Sequence, residues 1–162
     1  MPDELLSAVT HALAEELNAA FGRVAHCVGQ LTDEQLWWRP RPDMNAIGNL
    51  VLHLAGNVQQ MIVGSVGGAP DTRDRPAEFA ARGPVSSDEL LGKLLTAVRK
   101  AKDAILAASA EELCRVRKLH GNDVTGIQAV VRSVAHFRGH TQEIIHQTRT
   151  ILGDKYQFAG PR

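Results

Sequence analysis

Aromatic side chains are scarce in this sequence: four Phe, two Trp and one Tyr make up 4% of 162 residues. Aliphatic packing must therefore fill whatever core it builds. Excess charge is also lacking, because 18 Lys and Arg are matched by 18 Asp and Glu. A balanced chain offers no electrostatic footprint for nucleic acid or for an anionic membrane, so neither is expected as a partner. No apolar run approaches the roughly 18 residues of a membrane span. The two cysteines, Cys27 and Cys114, are too few for a disulfide framework and lack CxxC spacing. The opening MPDELLSAVTHALAEEL carries acids where a secretory leader needs a basic region, so a cytoplasmic, reduced setting is the expectation. Glycine-rich nucleotide loops, a GxSxG elbow and HExxH are all missing: His53 is followed by Leu-Ala-Gly and His136 by Phe-Arg-Gly. What remains is ordinary globular composition, 44% hydrophobic and 22% charged. The length suits one domain spanning residues 1–162 around a single core.

Prolines cluster at Pro40 and Pro42 and again at Pro70, Pro76 and Pro84, with Pro2 and Pro161 near the ends. The long tracts between them are free to be helical. From Asp3 to Leu31, apolar residues recur every three or four positions (Leu6, Val9, Leu13, Leu17, Ala20, Val24), which predicts an amphipathic helix. Thr32 with Gln35 reads as a capping box for a short turn through Leu36. A second helix is predicted from Asn45, as cap, to about Val63. The polar stretch from Ser65 to Val85 reads as a crossover with one helical turn near Ala77 to Ala81. Ser86 with Glu89 makes a further capping box, and a third helix runs to Ala107 on Leu91, Leu94, Leu95, Val98 and Ile105. Between Ala110 and Thr125 the alternation suggests a short hairpin. A fourth helix spans Thr125 to Leu152, with Gly153 as its cap. Four such helices with one long connection predict an all-α four-helix bundle whose crossover lets the second and third helices run parallel.

Histidine, with seven copies, is the over-supplied residue. His140 falls on the inward stripe of the fourth helix (Val130, Ser133, Phe137, His140, Ile144), and His136 lies one turn earlier on the same side. Such a pair can chelate a divalent ion. His53 lies at the border of the second helix's stripe, a position facing the groove between neighbouring helices, where an interior ligand cluster could open to solvent. Three neutral imidazoles with an open position form the arrangement of a catalytic zinc site, and such an ion could activate water or a thiol. A polar helix face explains the same spacing without a metal. His11, His26, His120 and His146 have no partner at ligand spacing, and the two cysteines read as small core residues.

The run Trp38-Arg-Pro-Arg-Pro-Asp-Met-Asn-Ala-Ile-Gly-Asn-Leu-Val-Leu-His53-Leu-Ala-Gly-Asn57 resembles the second-helix signature of the DinB-like superfamily. Val134-Ala-His136-Phe-Arg-Gly-His140-Thr-Gln-Glu-Ile144 resembles its final-helix motif, and Arg73 to Phe79 its crossover. The resemblance implies an up-down-down-up bundle, frequently a homodimer, with a divalent metal on His53, His136 and His140. Zinc and nickel are the metals expected, although imidazole also suits iron and copper. It further implies a small-molecule substrate: relatives include transferases and isomerases using low-molecular-weight thiols, and metal-dependent hydrolases. The superfamily's DNA-damage label describes induction, not DNA binding. Glu143 stands where relatives commonly carry glutamine. It could be a fourth ligand, a hydrogen-bond acceptor behind a ligand, a catalytic general base, or a solvated residue. Asn49 and Asn57 flank His53 by one turn and could orient its ring, but they read first as ordinary polar helix positions. Trp37 and Trp38 could cover a pocket mouth or pack the bundle end, and packing is the expected role. The competing expectation is a non-catalytic dimeric bundle of stress-related role.

Overall fold

The first apolar stripe folds as predicted into helix α1, Pro2–Val28, in a computed structural model that describes residues 2–159. Met1 and residues 160–162, Pro161 among them, lie outside the described residues. Thr32 and Gln35 form their reciprocal capping box at the start of α2, Asp33–Leu36. Helix α3 covers Ile47–Val58. Its cap is Ala46 rather than Asn45, because the Asn49 side chain reaches back to accept from the Ala46 N–H at 3.2 Å. The helix then widens into a π-helical turn, Gln59–Gly64, where the apolar period alone predicts uninterrupted α-helix.

The crossover carries α4, Arg75–Ala80, which starts two residues before the predicted turn because Asp74 caps it by accepting from Ala77 N. Helix α5, Ser87–Ala107, forms only the Ser86 half of the expected box, since the Glu89 carboxylate pairs with Lys93 at 2.8 Å instead. Its buried stripe is Leu90, Leu94, Ala97, Val98, Ala101 and Ile105, so Leu91 and Leu95 are only half-buried. The region after Ala107 is more structured than its alternation suggests. A short helix α6, Ala110–Cys114, precedes the antiparallel hairpin β1, Val116–Leu119, and β2, Asn122–Thr125. Cys114 is exposed there, which corrects its reading as a core residue, whereas Cys27 is buried as expected. Helix α7, Gly126–Leu152, opens on a Thr125–Gln128 capping box and ends at Gly153, whose φ of 55° suits glycine.

Four long helices share one core. Helix α1 packs on α5 and α7, and α3 packs on the same two. Leu17, Leu50, Leu54, Leu94, Phe137 and Ile144, drawn from all four, are fully buried. Among the described residues no helix is long and apolar enough to cross a membrane.

Candidate metal centre

The α3–α7 contact brings together side chains 83 residues apart in sequence: His53 Nε2 lies 2.9 Å from His136 Nε2. His140 completes the group. One ring nitrogen from each of His53, His136 and His140 lies within 4.8 Å of the others. The rings meet edge to face, with centroids 4.5 to 5.2 Å apart. The helical repeat explains the α7 pair, since positions four apart share a face. His53 faces the groove between α3 and α7 as its border position suggested, but at 4% exposure it is covered there rather than open to solvent.

The outer ring nitrogens are held by carboxylates. Glu143 Oε2 lies 2.8 Å from His140 Nδ1, and Glu78 Oε2 lies 2.9 Å from His53 Nδ1. Glu143 is therefore placed behind a histidine rather than inside the cluster, and its other oxygen faces Gln147 Nε2 at 3.5 Å. The His140 hydrogen bond keeps the Glu143 carboxyl below its ordinary value, so it is ionised at neutral pH. Glu78 is itself gripped by Arg73, whose Nε donates to Oε1 at 2.7 Å and Nη2 to Oε2 at 2.8 Å. Both are nearly sealed, with side chains 4% and 9% exposed for Arg73 and Glu78. The remaining Arg73 donor, Nη1, reaches Gln60 Oε1 on the π-helical turn at 2.9 Å, while Gln60 donates to Asp71 at 2.7 Å.

Asn49 is fully buried, which corrects its reading as an ordinary polar position. Its Nδ2 donates to the carbonyls of Glu78 and Ala81 at 2.9 Å each, and its Oδ1 accepts from Arg39 at 2.6 Å. One α3 side chain thus pins the crossover beside His53 without touching the ring. Asn57 accepts from Ser133 Oγ at 2.8 Å and ties α3 to α7. Above the site, the Phe79 ring lies 4.8 Å from that of His53, and the exposed Arg75 guanidinium sits 4.9 Å over Phe79.

The donor set fits a divalent ion. Nitrogens about 2 Å from a tetrahedral ion stand about 3.3 Å apart, a spacing that lies between the 2.9 Å of the His53–His136 pair and the 4.8 Å that bounds the whole set. Burial, reinforced by the charges of His140 and His53, pushes His136 down to about 4. Burial likewise lowers His53. Both rings are neutral at pH 7, the state that offers lone pairs. Arg73, Glu78 and Asn49 are residues whose part in this site spacing could not reveal. Only the crossover motif, Arg73 to Phe79, pointed to that segment.

The other histidines stay apart: His11 bonds Ser7, and His26 Nε2 lies 2.7 Å from the Gln157 carbonyl. Trp37 packs as expected, its Nε1 donating to Val85 O at 3.0 Å, whereas Trp38 is exposed beside a cleft of about 1150 Å³. None of the three clustered histidines lines that cleft.

A family model described as "Protein of unknown function (DUF1572)" matches residues 8–160. Among solved structures, a conserved protein of Enterococcus faecalis superposes with a TM-score of 0.74 at 20% identity, over 90% of this chain and 98% of its own. The DinB-like protein YjoA of Bacillus subtilis does so with a TM-score of 0.69 at 14% identity, over 93% and 99%. At such identities the likeness is one of fold. No curated protein sequence matches the chain significantly.

Proposed function

The chain belongs to the DinB-like DUF1572 family, proteins of unknown function, and on that premise we propose that it binds a divalent metal through His53, His136 and His140 to act on a small molecule. The observation that carries this reading is the convergence of three imidazoles from two helices, two of them backed by carboxylates. Structural histidines seldom gather with their nitrogens facing one another, whereas ligands backed by carboxylates are the usual form of a metal site. Zinc or nickel suits such a donor set. When bound, the ion would supply Lewis acidity, lowering the pKa of a coordinated water or thiol or polarising a carbonyl.

The residues supply the rest. His53, His136 and His140 present lone pairs, and Glu143 and Glu78 orient two of the rings. Phe79 shields His53 on one side. Arg75 places an exposed positive charge at the rim, which suits an anionic substrate or thiol. Thiol transfer and hydrolysis are the two reactions consistent with this arrangement, in a cytoplasmic homodimer.

Elemental analysis of untagged protein tests the metal. About one zinc or nickel per chain is expected in the parent, and His136→Ala should lose most of it. Full occupancy in that variant removes the reading. The reaction is tested by conjugating a panel of thiols to a generic electrophile, with zinc, nickel or manganese. Background rates throughout would favour the non-catalytic bundle.

A further inference from the structure

We infer that Glu78, clamped by Arg73, is a positioning residue that fixes the tautomer of His53, holding its proton on Nδ1 so that Nε2 presents a lone pair to the histidine cluster. The inference rests on the three histidines being metal ligands, and it specifies how one of them is made ready.

His53 Nδ1 has two polar neighbours that demand opposite protonation. Glu78 Oε2 stands 2.9 Å away and Arg73 Nη2 stands 3.0 Å away. A carboxylate only accepts, so it calls for a proton on Nδ1. A guanidinium only donates, so it calls for a lone pair there. The surroundings decide the contest. Glu78 accepts from Arg73 at both oxygens, which fixes the carboxylate in the buried pocket. Both candidate bonds are charge-assisted, but a lone pair on Nδ1 would face the Glu78 carboxylate oxygen at 2.9 Å, whereas Arg73 Nη2 already donates to that carboxylate at 2.8 Å. Arg73 is satisfied elsewhere, by Glu78 and by Gln60 Oε1 at 2.9 Å. Nδ1 therefore keeps the proton.

The consequence reaches His136. With a lone pair on His53 Nε2, the 2.9 Å contact between the two Nε2 atoms needs a proton on His136 Nε2. The metal-free protein thus holds His53 as the Nδ1–H form and His136 as the Nε2–H form. Only the second must shift its proton for both to become ligands.

Removing Glu78 does more than delete a contact. In Glu78→Ala, Arg73 is left facing Nδ1 and donates to it, moving the ring proton to Nε2, where it blocks the ligand position and donates to His136. In Arg73→Met, Glu78 remains and the native tautomer persists. The double variant Arg73→Met/Glu78→Ala leaves no buried charge and no directing group, so it covers the case in which the single alanine variant does not fold.

Nitrogen NMR of histidine-labelled, chelator-treated protein at pH 7.5 reads these states directly. The parent and Arg73→Met should show His53 as Nδ1–H. Glu78→Ala should show His53 as Nε2–H with His136 reversed to Nδ1–H, and the double variant should show a mixture. Zinc affinity should fall about 10–100-fold in Glu78→Ala and less in the double variant. His53 found as Nε2–H in the parent, or unchanged in both variants lacking Glu78, overturns the inference. The tautomer pattern needs no ion, so a protein that shows it yet takes up no zinc refutes the metal reading alone.

Discussion

At the scale of single residues, burial of the histidines gives the metal-free protein a pH-dependent stability. The ordinary histidine value is 6.5, and His136 in the folded chain is pushed down to about 4. Between those values the unfolded chain binds more protons than the folded one. Stability is therefore fully present above 6.5 and falls as the pH drops toward 4. His53, lowered by burial, adds in the same direction. Urea denaturation with chelator present, from pH 7.5 to 5, should show this decline, and His136→Asn should flatten it. An equal decline in that variant would place its origin elsewhere. A second residue prediction concerns Gln147, whose buried Oε1 has no hydrogen-bond partner among the described residues while its Nε2 makes long contacts at 3.4 and 3.5 Å. Gln147→Met removes an unsatisfied acceptor along with those weak bonds, so its stability should stay within about 1 kcal/mol of the parent. A loss near 3 kcal/mol would mean that a water or ligand completes the site.

At the scale of elements, two glycines in helices should respond oppositely to alanine. Gly22 in α1 has nothing within 4 Å of an added Cβ, so Gly22→Ala should stabilise by about 0.5–1 kcal/mol through helix propensity. At Gly56 in α3 the added carbon would overlap the Glu78 carboxylate and lie 3.0 Å from Arg73 Nε. Gly56→Ala should destabilise by about 1–3 kcal/mol and weaken zinc binding, even though α3 remains helical. Urea midpoints and zinc titrations of the two variants provide the comparison. The same elements show what could be read without coordinates. The α7 pair was legible because positions 136 and 140 lie one turn apart in a helix whose period is unbroken. The burial of His53 was not, because a wheel drawn on one helix cannot show which neighbour covers its border. Arg73 and Glu78 lie in a proline-bearing segment with no period, and their partners are 20 and 25 residues away. The role of Asn49 is not legible because two of its partners are crossover carbonyls, which every residue possesses, and Arg39 lies ten residues away in an aperiodic segment. The π-helical turn leaves no mark in the apolar spacing, yet it carries the Gln60 that Arg73 reaches.

At the scale of the molecule, four aliphatic stripes were enough to predict the helical fold, and the scarcity of aromatics singles out Phe137. It is fully buried and adjacent to a cluster histidine. Phe137→Ala should cost about 3–5 kcal/mol, and Phe137→Leu appreciably less, by urea denaturation. Ion binding should also register globally. Zinc at about a hundred times its Kd should raise stability by ~2.7 kcal/mol, an increase absent in His136→Ala.

His53 and His136 are separated by 83 residues, about half the chain. An ion held between them closes that span into a loop, and the loop entropy removed from the unfolded chain grows with its length. In such a chain the ion is a removable cross-link, and a chelator stands to it as a reductant stands to a disulfide. Proteolysis through the crossover would then leave two fragments joined by the shared core, with the ion as a second, removable tie between them.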